Sequence, residues 1–131
     1  MSRSDYERSW GTAGWLEDHE FGVTADIVRC QRRTRTYEDV AAAVQVKPGV
    51  RISAVYRQKR DDGDMCAAFL WGDAIGSQQS TFSALNLVTR SLEKERKAEF
   101  ACVTSFAYDY PAGRWKALVV FKRPAKGKEK A

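Results

Sequence analysis

Val50-Arg-Ile-Ser-Ala-Val-Tyr-Arg-Gln-Lys59, Arg60-Asp-Asp-Gly-Asp64 and Met65-Cys-Ala-Ala-Phe-Leu-Trp71 read as a strand, a turn and a second strand. In the first segment Val50, Ile52, Ala54 and Tyr56 alternate with Arg51, Ser53 and Arg57, the period of a half-buried strand. Asp61-Asp62-Gly63-Asp64 supplies the residue types that tolerate the backbone of a tight hairpin. Met65–Trp71 is almost continuously apolar, as expected of a strand covered on both faces.

Working outward, Gly72–Gly76 breaks the second strand, and Ser77 or Ser80 can cap one long helix reaching about Ala98. Phe82, Leu85, Val88 and Leu92 recur at steps of three and four, which defines its buried stripe. Phe100–Asp109 alternates again, with Phe100, Cys102, Thr104, Phe106 and Tyr108 against Ala101, Val103, Ser105 and Ala107. Tyr110-Pro111-Ala112-Gly113 makes a turn, and Trp115–Arg123 returns with Trp115, Ala117, Val119 and Phe121 opposite Lys116, Leu118, Val120 and Lys122.

On the N-terminal side, Phe21–Arg33 reads as a strand of imperfect alternation. Thr36 is placed to cap a short helix, with Glu38 and Asp39 in its first turn and Val40, Ala43 and Val44 buried. The rival reading is a strand ending at Val46. The alanine triplet favours the helix, and Lys47-Pro48-Gly49 ends the element either way. The expected class is α+β, a single antiparallel sheet packed on one long helix. With residues 37–46 helical, the order also admits a ferredoxin-like βαββαβ sandwich with an added C-terminal strand. That order resembles the topology of RNA-recognition motifs, but Met65–Trp71 lacks their Arg/Lys-Gly-Phe/Tyr pattern and the first strand lacks their aromatic. The likeness is one of topology, which many functions share.

The chain has 131 residues, 44% hydrophobic and 30% charged, which is ordinary for one globular domain. Its division is read as an irregular acidic arm over 1–20, one α+β domain over 21–123 and a disordered basic tail over 124–131. There is no apolar run of membrane-spanning length and no apolar signal core near Met1, so a cytoplasmic location and no membrane partner are expected. Cys30, Cys66 and Cys102 are too few and too far apart for a disulfide framework or a zinc site. His19 is the one histidine, and no nucleophile elbow, phosphate loop or dinucleotide fingerprint is present. Asp61, Asp62 and Asp64 are read as turn residues rather than a cation loop. No cofactor, metal or catalytic residue is assigned.

Charge is the functional signal. Of 22 Lys/Arg and 17 Asp/Glu, the first 26 residues carry only Arg3 and Arg8 but also Asp5, Glu7, Glu17, Asp18, Glu20 and Asp26. The remainder is therefore strongly basic, and its cations collect at strand ends. Arg32, Arg33 and Arg35 end the first strand, Arg57, Lys59 and Arg60 close the next, and Lys122 and Arg123 close the last. Arginine suits phosphate by its planar fork, and aromatic residues beside such groups offer stacking platforms. Tyr56 and Trp115 are taken as the main platforms, with Tyr108 and Tyr110 as further candidates. The expected function is non-enzymatic binding of single-stranded nucleic acid or RNA by these residues, with the acidic arm as a competitor for the same surface. The alternative is a protein-interaction module such as an inhibitor or adaptor, including self-association through an open strand such as Trp115–Arg123. A third reading is a small-ligand binder or enzyme with a pocket between sheet and helix.

Overall fold

The structure, a computed structural model, describes residues 27–124. The expected acidic arm, the first residues of the expected opening strand, His19 and the tail from Ala125 lie outside them. The elements are β1 (Ile27–Arg29), α1 (Arg35–Val44), β2 (Arg51–Arg60), β3 (Gly63–Asp73), α2 (Gln78–Lys94), β4 (Phe100–Asp109) and β5 (Arg114–Pro124).

The five strands form one sheet in the order β1-β2-β3-β5-β4, with every neighbouring pair antiparallel. The fold is thus α+β with a single sheet. A ferredoxin-like βαββαβ sheet is also antiparallel, but it sets its first strand between the third and the fourth; here β1 is an edge strand paired with β2, so the strand order differs. The order also corrects the expectation for Trp115–Arg123. This strand, β5, lies between β3 and β4 and has no open edge; the sheet's edges among the described residues are β1 and β4.

Both helices pack on one face. Val40, Ala43 and Val44 of α1 and Leu85, Val88 and Leu92 of α2 share a core with Val55, Cys66, Ala68, Leu70, Trp115, Ala117, Val119 and Phe121. The N-cap of α1 is Thr34, two residues before the expected Thr36. Its extended backbone lets Oγ1 accept from Tyr37 N at 3.4 Å while donating to the Gln31 carbonyl at 2.7 Å. Thr36 is instead a buried side chain facing the sheet. Ser77 caps α2, its Oγ accepting from Ser80 N at 3.1 Å. Past Glu95, Lys97 adopts φ +60, turning the chain toward β4. Gly72 is buried where the Gly49 carbonyl and the Trp115 ring approach it, and a Cβ there would collide with both.

Two bulges set which side chains face the helices. The β2–β3 register slips between Ile52 and Ala54, and the β4–β5 register slips between Val103 and Ser105. An extra residue reverses the alternation beyond it. Val50 and Ile52 therefore point to the helices, whereas Tyr56, expected beside them, packs in the opposite face. In β4, Ala101 and Val103 face the helices before the bulge, and Phe106 and Tyr108 face them after it. Phe100, expected on one face with Phe106, packs in the opposite cluster.

That opposite face carries its own apolar cluster. Met65, Ala67, Phe69, Leu118 and Val120 are at most 2% exposed, with Ile27, Tyr56, Trp71 and Phe100 at its margin. β3 is thus buried on both sides, as its near-continuous apolar sequence required.

Candidate nucleic-acid interface

The cations singled out from the sequence separate into two sets. Arg123 is a structural residue. It extends from β5 on the helix face, with Nε 3.4 Å from Asp39 Oδ2 and Nη1 donating to Thr36 Oγ1 at 2.8 Å. Both side chains of this ion pair are about nine-tenths buried, at 11% and 12% exposure. Lys122 points to the opposite face and is held by Asp62 Oδ2 at 2.6 Å and Glu99 Oε2 at 3.3 Å. These carboxylates raise the pKa of its ammonium, and the Lys122 hydrogen bond lowers that of Asp62. Arg60 donates from Nε and Nη2 to Gln58 Oε1 at 3.1 and 2.9 Å. None of these three side chains is an uncommitted phosphate ligand.

The second set gathers around β1 and the start of α1. Val28 of β1 pairs with Arg57 of β2, and Cys30 N donates to the Val55 carbonyl at 2.7 Å. The loop that follows carries Arg32 and Arg33, both exposed, into Thr34 and then Arg35, also exposed, at the first position of α1. Arg57 is half-buried on the helix face, and Lys59, exposed, lies two residues along β2 on that same face. Arg32, Arg33, Arg57 and Lys59 have no carboxylate partner among the described residues.

Two buried thiols report how closely these groups converge. Burial pushes the Cys30 pKa up, opposed by a hydrogen bond with Thr34 and by the fields of Arg57 and Arg123. Burial also pushes the Cys66 pKa up, again opposed by Arg123 and Arg57. The Asp64 carboxylate raises both thiols as well, so Arg57 and Arg123 share this spot beneath the start of α1 with one carboxylate. The positive end of the α1 dipole adds to the same field.

The aromatic half of the expectation fares differently. Trp115 is fully buried, its Nε1 donating to the Asp73 carbonyl at 2.8 Å, so the ring is core and offers no stacking surface. Its alternation with charged Lys116 marked a buried strand face, the commoner reason for a strand tryptophan. Tyr56 lies on the far side of the sheet from Arg57, edge-on to Phe69 with centroids 5.6 Å apart. Neither ring stands beside the uncommitted cations.

The exposed aromatics are elsewhere. Phe82, expected in the core stripe of α2, is 38% exposed and meets Phe106 edge-on at 5.5 Å. Tyr108 and Tyr110 meet at a tilt of 59° with centroids 4.6 Å apart, and Tyr110 Oη donates to Gln78 Oε1 at 2.6 Å. Phe82, Phe106 and Tyr110 line an open groove of about 470 Å³ with Ser77, Gln78 and Gln79. A second groove of about 580 Å³ runs along α2 between Lys47 and Arg90, with Ser77, Ser80 and Ser83 in its wall. Sequence reading missed both grooves, because the approach of α2 to the β4–β5 hairpin in the first and to Lys47 in the second is purely tertiary.

Asp62 is occupied by Lys122, in keeping with a turn role for the Asp61–Asp64 cluster. Among the described residues no three His, Cys, Asp or Glu side chains are grouped to hold a metal ion. No helix of the described residues is long and apolar enough to cross a membrane. In comparisons with known proteins, the chain matches no family model, no curated protein and no solved structure.

Proposed function

We propose that this protein binds single-stranded nucleic acid or RNA, without catalysis, through the cations at the β1 edge. The observation that carries this reading is the set Arg32, Arg33, Arg57 and Lys59, which lack carboxylate partners among the described residues while Lys122 and Arg123 are neutralised. Uncommitted cations on one side of a domain attract a polyanion and release its counterions. Contact is led by phosphate: the two sheet aromatics expected to stack with bases are buried or turned away. Fluorescence anisotropy of labelled RNA and DNA oligonucleotides, titrated at several salt concentrations, tests the reading. Affinity should fall steeply and log-linearly as salt rises. Absence of binding at low salt, or binding indifferent to salt, overturns it.

A second reading, an interaction module, is favoured by one specific feature. The Phe82–Phe106–Tyr110 groove exposes aromatic surface beside the edge strand β4, the surface type enriched at protein interfaces. A protein partner recovered from nuclease-treated extract, and lost on Phe82→Ser with Tyr110→Ser, would support this reading over the first.

A further inference from the structure

We propose that the sheet face turned away from the two helices is covered by residues 1–26 of the same chain, an apolar layer whose carboxylates meet that face's cations. The inference stands independently of nucleic-acid binding.

The argument begins from burial. α1 and α2 both pack on the other face, yet Met65, Ala67, Phe69, Leu118 and Val120 are at most 2% exposed. A five-stranded sheet with one bare face would leave the side chains of that face open to water. A further layer is therefore needed, and its source lies before Ile27 or after Pro124. The C-terminal residues, Ala125-Lys-Gly-Lys-Glu-Lys-Ala131, hold no large apolar side chain. The N-terminal segment holds Tyr6, Trp10, Trp15, Leu16, Phe21 and Val23.

The point of entry agrees. Ile27, the first described residue, already packs in the margin of this cluster and pairs with Gln58 on β2. From there the segment has only to cross strands spaced about 4.8 Å apart, a total of roughly 20 Å. An extended chain of its length reaches roughly 85 Å.

Charge agrees as well. Arg29 stands opposite Tyr56, Arg51 lies over the Trp71 ring at 5.5 Å, and Lys116 pairs with Trp71 from the other side. All three cations border the apolar cluster. Lys116 is half-buried, and burial lowers the pKa of its ammonium. The segment brings Glu17, Asp18 and Glu20 next to Trp15 and Leu16, so apolar anchors and counter-charges arrive together. The cations of this face are then spoken for, whereas Arg32, Arg33, Arg57 and Lys59 lack a carboxylate partner among the described residues.

Zero-length carbodiimide coupling of the full chain at low concentration, followed by peptide mapping, tests the layer. Lys122 coupled to Asp62 or Glu99 serves as the internal control, since those contacts are already made. The expected result is monomer in which Lys116 is joined to a carboxylate within residues 1–26. Control links without any such Lys116 link overturn the proposal. So do links found only in covalent dimers, which would make a second copy the cover. A second variant, Trp10→Ala with Trp15→Ala in the full chain, should raise binding of an apolar dye several-fold and lower the melting temperature. Dye binding and melting unchanged from the parent overturn the proposal too.

Discussion

Arg123 and Asp39 form an ion pair that ties the interior strand β5 to the first turns of α1, with Thr36 accepting a hydrogen bond from the same guanidinium. In sequence Arg123 belongs to a basic run that continues as Lys126, Lys128 and Lys130, which makes it look like part of a solvent-facing tail. Its burial gives it a different task. Removing one partner of a buried pair leaves the other charged and unpaired, at a cost of about 3–5 kcal/mol. Arg123→Ala should therefore lower the urea midpoint sharply, and Arg123→Met combined with Asp39→Leu should recover much of the loss. Single and double variants of equal stability would show that the two side chains do not act as a pair.

The β1-edge cations make the opposite prediction. Arg32, Arg33 and Lys59 are exposed, so Arg32→Ala, Arg33→Ala and Lys59→Ala should each change stability by no more than about 0.5 kcal/mol. If they contact phosphate, each should weaken oligonucleotide binding and reduce the salt slope by about one. Lys94→Ala, at the exposed end of α2, is the matched control and should leave the slope unchanged. Equal losses from the control and the three edge variants would mean that net charge alone governs binding.

These contrasts show what the sequence could and could not convey. The strands and the long helix were legible because their periods are local: β4 spans Phe100–Asp109 as read, and the helix expected from the Ser77 or Ser80 cap begins at Gln78. The face assignments failed at Ser53 and Thr104, since one extra residue in a strand leaves no mark in a pattern of small polar side chains. Strand order was not legible either, as it depends on which edges meet after the helices have packed. The same holds for the candidate site. Strand-end clustering of arginine was visible, but whether a given arginine meets water or a carboxylate is decided by residues far away in the chain, as Arg123 is by Asp39 eighty-odd positions earlier.

Lys97 is the one non-glycine residue with positive φ among the described residues, at +60. An L-side chain in that left-handed region costs roughly 1 kcal/mol, which glycine avoids at some entropic expense in the unfolded chain. Lys97 is exposed and has no ion pair among the described residues. Lys97→Gly should thus raise the melting temperature by a few degrees or leave it unchanged, whereas Lys97→Val should lower it. A clear loss with glycine would mean that the lysine side chain contributes a contact of its own.

The cysteines yield a prediction with a definite pH direction. Cys30 and Cys66 are buried and Cys102 is exposed, so a water-soluble disulfide reagent at neutral pH should modify one thiol quickly and two only on unfolding. Burial raises the folded-state pKa of both buried thiols above the ordinary value of 9.0. A group whose folded pKa is raised contributes stability that is complete below its unfolded pKa and is lost as pH climbs toward the folded value. Stability should therefore decline above about pH 9, where the unfolded chain releases thiol protons that the folded one retains. Lys122, with its pKa raised by Asp62 and Glu99, acts in the same direction, while Lys116, lowered by burial, acts against it. Comparing the parent with Cys66→Ala isolates the thiol: both should share the lysine contributions, and the variant should lose less stability between pH 8 and pH 10.5. Parallel pH profiles for the two proteins would show that Cys66 does not contribute to the alkaline loss.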